Sequence, residues 1–345
     1  MNQMGRAAGP LPSVSGRRSP VPILQVATGF WASQALLTAV DLKVFTILFG
    51  GPKTVAEVAK ESGGDPVALE ALLDANCALG FLHRNGDRYR NDEASNGYLV
   101  EGSPGSYVDL VRFMRDPLFG IWQGLADTVR RGTAAEPSMG MDQVEIVLAR
   151  GFHNGAYALM SRLAEILDIE FSTYSRMLDV GSHTGAGALC LARRYPQLQA
   201  TLLDRPIFRE LAEEFIRSTK LEERVHFEEG HPDEGKPGAE YDLVLLSHYL
   251  SRRRADMGKV LEGVIQSMRR DGKLLVTEFL LEDSKSEPRE AALFRLNVLA
   301  TYGSGNAGAL TRSELCQSLE RAGFKDVDMV GLPMFGITAI TACKA

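Results

Sequence analysis

The chain has 345 residues, of which 45% are hydrophobic and 24% charged, with a formal net charge of −6 at pH 7. This length allows two domains with a large core, and the acidic balance gives no electrostatic case for nucleic-acid binding. The four cysteines (Cys77, Cys190, Cys316 and Cys343) are far apart in sequence, which predicts neither a metal site nor a disulfide framework. We therefore expect a cytoplasmic protein.

The N-terminal residues form two stretches of different character. Residues 1–20 are rich in Gly, Pro, Ser and Arg, show no secretory signal pattern, and are predicted to form a disordered tail. Residues 21–40 carry no charge, which raises the question of a membrane span. Polar residues, a proline and a glycine interrupt them, however, so we expect a buried helix at a domain or subunit interface and no membrane span.

The next elements predict a winged helix. They are a helix over 23–48 broken near Asp41, a helix over 54–60, a helix over 66–79 and a hairpin over 81–89. A capping box of Thr54 and Glu57 begins the second helix, and Asp65 caps the third. Asn85-Gly86 supplies the turn of the hairpin.

A winged helix raises the possibility of DNA binding, which the charges oppose. The helix in the recognition position, with its cap, holds Asp65, Glu70 and Asp74 but no Lys or Arg, so it would repel phosphates. We expect no nucleic-acid partner. The interpretation we favour is a packing and dimerisation domain over 21–105, which forms a homodimer through its N-terminal helices.

A helical linker is predicted over 106–170, with helices at 107–131 and 144–167. Met139, Met141 and Met160 lie in or near it. Methionines in such positions usually belong to the core, but they are also common in pockets that adapt to a flat apolar ligand. We therefore expect this segment to contribute to a substrate pocket.

The stretch from Met177 to Gly185 predicts a nucleotide-binding unit. It is an apolar strand that breaks into a small-residue turn, followed by a helix and a second strand that ends on Asp204. The glycine spacing of a dinucleotide site is absent, and Asp179 lies inside the motif. An acid there opposes a pyrophosphate and suits a ligand with an ammonium and a sulfonium group, such as S-adenosylmethionine (SAM). Asp204 would accept hydrogen bonds from the ribose hydroxyls.

An alternation of strands and helices fills the rest of the chain, 171–345, and predicts an α/β domain. Strands are expected at 176–180, 200–204, 225–229, 241–247 and 273–280, and a closing β-pair at 327–330 and 335–343. Helices are expected at 186–195, 206–219, 256–270, 289–302 and 312–323. This pattern indicates a mostly parallel sheet covered on both faces, with its ligand site at the carboxyl ends of the strands.

These motifs together resemble the two-domain, SAM-dependent small-molecule O-methyltransferases. The segments that carry the resemblance are 29–35, 178–185, 201–206, 241–248, 272–278, 310–315 and 322–324. The resemblance implies a Rossmann-like class I methyltransferase sheet behind a mainly helical, winged-helix dimerisation domain. It covers the chain from about Pro22 onwards.

The resemblance also implies a set of cofactor-binding residues. They are Asp179, Gly181, Gly185, Asp204, Arg205, His231 and Ser247. Asp179 and the two glycines would line the methionine part of SAM, Asp204 would hold the ribose, and Ser247 would contact the amino-acid end. Members of the family usually have Gly-Asp where this chain has Gly230-His231, with the Asp reaching the adenine amine.

The catalytic position departs from the family. Alignment of the fourth strand puts Ser251 where the family has its general-base histidine, while Glu278 matches an acid that flanks that histidine. The same departure occurs in members similar to bacteriochlorophyllide C-20 methyltransferase. A serine hydroxyl is no base near neutral pH without one beside it. The candidate proton acceptors are therefore Glu278, His248 and His153, each of which also has a purely structural interpretation.

The resemblance implies a methyltransferase that acts on a small aromatic or polyketide-like secondary metabolite, at oxygen and without the usual histidine base. Two alternatives stay open at this point. One is C-methylation of an aromatic or tetrapyrrole-like ring. The other is a non-methylating protein of the same fold, either a cyclase, decarboxylase or hydroxylase, or a binding module.

Overall fold

The computed structural model describes residues 19–134, 139–167, 171–231, 240–305, 308–332 and 336–345. Nearly all of the predicted tail at 1–20 lies outside the described residues. The chain forms two compact units, one up to Asp92 and one from Glu93 onwards. The predicted domain limits at 21–105 and 106–170 stay predictions.

The first unit has the elements of a winged helix, as predicted. Its helices are α1 (Val21–Asp41), α2 (Val44–Leu48), α3 (Val55–Ser62) and α4 (Pro66–Ala78). Its strands are β1 (Lys53–Thr54), β2 (Leu82–Asn85) and β3 (Arg88–Asn91), which form an antiparallel sheet in the order β1-β3-β2. The predicted break after Asp41 is present, because Lys43 has φ +56° and the helix cannot continue through it.

Local signals begin the helices of this unit. Thr54 and Glu57 form a reciprocal capping box at the start of α3, and the Asp65 carboxylate accepts hydrogen bonds from the first backbone N–H groups of α4. Both caps were predicted from residue type and spacing alone.

Helix α1 carries an exposed apolar surface. Within the described residues it is the one helix that is long and apolar enough, by length and composition, to cross a membrane. Its exposed residues include Val21, Ile23, Leu24, Val26, Phe30 and Trp31. Val26 is 83% and Trp31 65% exposed, so the described residues of this unit leave this face of α1 uncovered.

The second unit begins with helices. They are α5 (Glu93–Tyr98), α6 (Val108–Phe113), α7 (Phe119–Gln123), α8 (Leu125–Arg131) and α9 (Met141–Ile166). The single helix predicted over 107–131 is wrong, because Asp116 adopts an extended conformation (φ −151°, ψ 118°) before Pro117. Helix α9 confirms the predicted helix over 144–167 with its start three residues earlier, at Met141.

A seven-stranded sheet forms the core of this unit. Its strands are β4 (Arg176–Val180), β5 (Gln199–Asp204), β6 (Val225–Glu229), β7 (Tyr241–Ser247), β8 (Met268–Phe279), β9 (Phe324–Gly331) and β10 (Ile337–Lys344). The order is β6-β5-β4-β7-β8-β10-β9, with β10 antiparallel to both of its neighbours and the remaining pairs parallel. The predicted parallel sheet with a closing β-pair is confirmed.

Five helices accompany the strands. They are α10 (Ala186–Arg194), α11 (Arg209–Thr219), α12 (Met257–Ser267), α13 (Arg289–Tyr302) and α14 (Arg312–Arg321). The helix predicted over 256–270 ends early, because Met268 is already in β8 and pairs with Tyr241 of β7. Six of the seven residues of β7 are buried, as expected for a strand covered on both faces.

The strand order fixes the position of the site. The chain runs from β4 to β5 on one side and returns to β7 on the other side of β4. A crevice opens at the carboxyl ends of parallel strands where the order reverses in this way. The turn after β4 and the loops after β5, β6, β7 and β8 are the segments that line it.

Candidate active site

The turn after β4 requires glycine at two positions. Gly181 and Gly185 have φ of +66° and +72°, a region that favours glycine. A Cβ atom on Gly181 would lie 2.2 Å from Cδ2 of Tyr249, and one on Gly185 would lie 2.4 Å from Cδ1 of Leu202. Tyr249 and Leu202 therefore pack directly against the backbone of the turn, and neither position has space for a side chain.

Two buried carboxyl groups, of Asp179 and Asp204, flank this turn. Oδ2 of Asp179 accepts a hydrogen bond from the backbone N–H of Ala188 (3.3 Å). Asp204 accepts two, from the backbone N–H groups of His183 (2.7 Å) and Arg205 (2.8 Å). Burial and, to a smaller extent, the nearby Asp204 raise the pKa of Asp179 to about 7, against the hydrogen bond from Ala188. Burial also raises the pKa of Asp204, against the two N–H groups.

A pocket of about 460 Å³ lies beside Asp204, between the loops after β5 and β6. Its lining residues are Asp142, Arg205, Pro206, Ile207, Glu229, Gly230 and His231. The Arg205 guanidinium is paired with Glu145 and lies 3.6 Å from Asp142, so carboxylates of α9 neutralise it. Arg205 therefore forms a wall of the pocket, as does His231.

These residues fit SAM. A ligand with two positive charges is favoured by the buried Asp179 and Asp204, and it would offset the cost of ionising them. The ribose hydroxyls need an acceptor, and the Asp204 carboxylate at the end of β5 is a group that could supply it. Glycine at 181 and 185 allows the positive φ of the turn and the close packing of Tyr249 and Leu202 against its backbone. Ser182 Oγ, in the same turn, is buried without a hydrogen-bond partner among the described residues, and it is a further group able to contact the ligand.

The loops after β7 and β8 form the other end of the crevice. Ser247, the last residue of β7, exchanges a hydrogen bond of 2.9 Å with Thr277 Oγ1 of β8. His248 follows it with φ +52°, and its backbone N–H donates to the Thr277 carbonyl (2.8 Å). These two strands therefore hold Ser247, His248 and Glu278 together, as expected for sequence positions at adjacent strand ends.

Glu278 is fully buried, and one of its two carboxyl oxygens accepts a hydrogen bond. Its Oε1 accepts a hydrogen bond from the backbone N–H of Ser251 (3.1 Å), while Oε2 has no partner among the described residues. Ser251 donates this hydrogen bond from its backbone N–H, and its hydroxyl makes no hydrogen bond of normal geometry among the described residues. Burial raises the pKa of Glu278 to about 7, against the N–H and hydroxyl groups of Ser251, the positive charge of Arg252 and the Leu250 N–H group.

A stack of aromatic rings lies at the ends of β7 and β8. Phe279 of β8 and Phe294 of α13 stack with centroids 4.1 Å apart, and the His248 ring is tilted 5.2 Å from Phe279. Nδ1 of His248 is buried and has no hydrogen-bond partner among the described residues. Burial and Arg252 lower the pKa of His248 to about 4, so its imidazole is neutral at physiological pH.

His153 has a different environment. It lies on α9, its Nδ1 shares a hydrogen bond of 2.9 Å with Thr184 Oγ1, and its ring stacks on Phe215 at 3.7 Å. Burial lowers its pKa to about 4. These contacts favour the structural interpretation of His153 and leave Glu278 and His248 as the proton acceptors that share a neighbourhood.

Three consecutive arginines, Arg252, Arg253 and Arg254, follow Ser251. Arg254 is paired with Glu314 (2.5 Å), and Arg253 lies 3.9 Å from Asp256. Arg252 instead donates from Nε to the His248 carbonyl (3.1 Å), and its charge acts on Glu278 and His248. Arg252 therefore contributes electrostatically to the site.

The family models match both units of this chain. The O-methyltransferase domain matches residues 122–325, and the O-methyltransferase dimerisation domain matches residues 24–101. The chain belongs to the O-methyltransferase family. It is a SAM-dependent methyltransferase, and the predicted cofactor, fold class and enzyme class are confirmed.

Relatives of this methyltransferase cover nearly its full length. Tetracenomycin polyketide synthesis 8-O-methyl transferase of Streptomyces glaucescens is 30% identical over 318 residues, which are 90% of this chain and 93% of the relative. A 3-hydroxy-5-methyl-1-naphthoate 3-O-methyltransferase of Streptomyces sahachiroi is 29% identical over 333 residues, which are 94% of this chain and 94% of the relative. The human N-acetylserotonin methyltransferase, solved with SAM, is 26% identical with a TM-score of 0.82, covering 96% of this chain and 99% of the human one.

Two residues beside the glycine turn, Ser182 and Tyr249, were not predicted as site residues from the sequence. Tyr249 covers Gly181, and its hydroxyl lies 3.2 Å from Nδ1 of His231. Its position, just past the end of β7, was the available signal, because side chains that follow a parallel strand face the crevice.

Proposed function

We propose that this methyltransferase transfers a methyl group from SAM to a hydroxyl of a small aromatic, polyketide-like secondary metabolite, with Glu278 as the proton acceptor. The observations that carry the proposal are the Glu278 Oε2 atom, which is buried without a hydrogen-bond partner among the described residues, and the stacked rings of Phe279, the next residue of β8, and Phe294. In this proposal a phenol lies along those rings and gives its proton to the Glu278 carboxyl.

Bound SAM supplies a methyl group that its sulfonium makes electrophilic. The protein has to hold the acceptor in line, exclude water and take one proton from the hydroxyl. A general base works best when its pKa is near the working pH, and the pKa of Glu278 is about 7. The charge of Arg252 opposes protonation of the carboxyl and stabilises a phenolate as it forms.

His248 has a positioning role in this proposal. Its neutral ring has one buried nitrogen, Nδ1, without a partner among the described residues, and that nitrogen is available to a polar substituent of the acceptor. The names of the two Streptomyces relatives refer to a polyketide and to a naphthoate, and both specify transfer to oxygen. They support an aromatic acceptor and O-methylation here.

The test is a panel of phenols, naphthols and aromatic polyketides, assayed for S-adenosylhomocysteine together with the methylated product. We expect turnover of a polycyclic phenol and none of its O-methyl ether. S-adenosylhomocysteine formed with a C-methylated product would contradict the O-methylation proposal. A product that lacks a new methyl group would contradict methyl transfer altogether.

We also propose that the protein is a homodimer that assembles through α1. The exposed apolar residues of this helix and the match of residues 24–101 to a dimerisation domain support it. Light scattering at micromolar concentration should give a dimer, and Val26→Asp with Trp31→Ser should give a monomer. A wild-type monomer would contradict this proposal.

The location of the protein in the cytoplasm stays a prediction.

A further inference from the structure

The half-buried guanidinium of Arg252 has one hydrogen-bond partner among the described residues. Arg252 lies in the segment Leu250–Asp256, which follows β7. Its Nε donates to the His248 carbonyl (3.1 Å), while its two terminal nitrogens have no hydrogen-bond or ion-pair partner in the part of the chain that the structure describes. Taking a cation partly out of water without a counter-charge is costly, so this position favours the arrival of an anion.

The charge of Arg252 acts on the crevice from above four neighbouring strands. It lowers the pKa of His183, in the turn after β4, and of His248, just past the end of β7. It also lowers the pKa of Asp204 and Glu278, at the ends of β5 and β8, against the effect of burial. A charge that pointed away into solvent would be screened from these groups. The guanidinium is therefore directed at the crevice.

The anchor of Arg252 places it on the acceptor side of the crevice. The His248 carbonyl holds its Nε, and the ring of the same histidine is tilted 5.2 Å from Phe279, which stacks with Phe294 at 4.1 Å. Nδ1 of His248 is buried without a hydrogen-bond partner among the described residues. An anionic group on an aromatic ring that lies along this stack would have both the guanidinium and the imidazole as partners.

A carboxylate suits this pair of partners. The terminal nitrogens of a guanidinium form a planar fork that matches the two oxygens of a carboxylate. A neutral imidazole with its proton on Nδ1 donates to the same group. The positive charge of Arg252 also offsets the repulsion between a bound carboxylate and an ionised Glu278, which a neutral side chain would not do.

Resting on the proposed O-methylation, we propose that the acceptor is an aromatic hydroxy acid and that Arg252 is a specificity-determining residue that pairs with its carboxylate. The phenol oxygen takes the methyl group and gives its proton to Glu278, while the carboxylate is bound and left unmodified. The product is an aryl methyl ether that keeps its free acid.

Titration calorimetry on the S-adenosylhomocysteine complex at about pH 8 tests the carboxylate site without catalysis. The probes are 1- and 2-naphthoic acid and their carboxamides, which have no hydroxyl to methylate. For at least one isomer we expect the acid to bind at least about tenfold more tightly than its carboxamide, because hydrogen bonds between charged groups are the stronger ones. Arg252→Gln should reduce this preference to within about threefold. A wild type without the preference for either isomer, or a preference that survives in Arg252→Gln, would overturn the proposal.

Arg254→Gln is the matched control, because Arg254 is already paired with Glu314. It should keep the wild-type preference for the acid, and its loss there would mean that the charge of the whole segment, and not Arg252, selects the ligand. The affinity of Arg252→Gln for S-adenosylhomocysteine should stay within about twofold of wild type. A loss of about tenfold or more would show that Arg252 holds the carboxylate of the cofactor instead, and would overturn the proposal.

Turnover separates this proposal from O-methylation itself. A hydroxynaphthoic acid should have a kcat/KM at least about tenfold above that of the naphthol without the carboxyl group, and it should give the ether. Ether formed from both with equal kcat/KM, or a methyl ester as the product, would overturn the carboxylate site. If neither gave an ether while the acid preference in calorimetry held, O-methylation would be wrong and the carboxylate site would be supported.

Discussion

The cofactor end and the acceptor end of the crevice hold their carboxyl groups differently. At the cofactor end, Asp204 has both oxygens bonded to backbone N–H groups, and Asp179 has one bonded to the start of α10. At the acceptor end, Glu278 has one bonded oxygen and one free, and Nδ1 of His248 has no partner among the described residues. Backbone N–H groups hold both oxygens of Asp204, whereas Glu278 and His248 each keep one buried polar atom without a hydrogen-bond partner among the described residues.

This difference matches what each end has to do. A ligand that is the same in every turnover is held best by groups that are already oriented, because ordering them at binding would cost free energy. A group that accepts a proton must instead keep a lone pair available. The following changes, from the largest expected effect to the smallest, test whether the two ends are separable in this way.

Glu278→Gln is expected to have the largest effect. It preserves shape but removes the proton acceptor, so kcat should fall by about 10²–10⁴-fold, the usual range for loss of a general base. In the wild type, kcat should rise with pH through about 7, because the carboxyl is protonated below its pKa and cannot accept. The dissociation constant for S-adenosylhomocysteine should be unchanged, since this oxygen does not belong to the cofactor end.

The matched control is Glu262→Gln on the exposed side of α12, which should keep wild-type kcat. If Glu278→Gln retained kcat within about threefold, alignment without proton transfer would account for the rate, and the assigned role of Glu278 would be wrong.

Asp204→Ala should weaken SAM binding by about 1–3 kcal/mol, or roughly 5–150-fold. It removes the ribose acceptor and leaves the N–H groups of His183 and Arg205 without their bonds. Titration calorimetry measures the affinity for SAM directly. Equal affinities of wild type and Asp204→Ala would contradict the assignment of Asp204 as the ribose acceptor. Asp328→Ala on β9 is the control for loss of a carboxylate elsewhere.

Asp179 should make cofactor binding pH-dependent. Its pKa is raised to about 7 in the free protein by burial and by Asp204, whereas a bound ammonium group favours its charged form. Binding therefore releases a proton below about pH 7, and affinity should be about tenfold weaker at pH 6 than at pH 8. Asp179→Asn should remove this slope and Glu278→Gln should keep it. A flat profile in the wild type would contradict the raised pKa.

Ser251→Ala should have the smallest effect, with kcat within about twofold of wild type. Ser251 bonds Glu278 through its backbone N–H, which the substitution keeps, and its hydroxyl makes no hydrogen bond among the described residues. Collapse of activity in Ser251→Ala, with activity retained in Glu278→Gln, would reverse the assignment of roles at the acceptor end.

The sequence alone predicted those elements and caps that depend on residues close together in the chain. Strand β4 and helix α13 have the predicted limits, and the capping box at Thr54 was readable from residue types three positions apart. The turn from Gly181 to Gly185 was identified because a bare backbone between a strand and a helix needs glycine. Pro117 was present in the sequence, yet the long helix predicted across it was wrong, because the predicted periodicity ignored the conformational limit on Asp116.

Tertiary structure decided which polar groups meet. Glu278 and His248 were both candidates from sequence and lie at adjacent strand ends, whereas His153 is bonded to Thr184 and stacked on Phe215. The meeting of Tyr249 with His231 had no sequence signal of its own, because it depends on the order of β6, β5, β4 and β7 in the sheet. Periodicity and capping act within a few residues, but a contact between two loops is set by the packing that orders their strands.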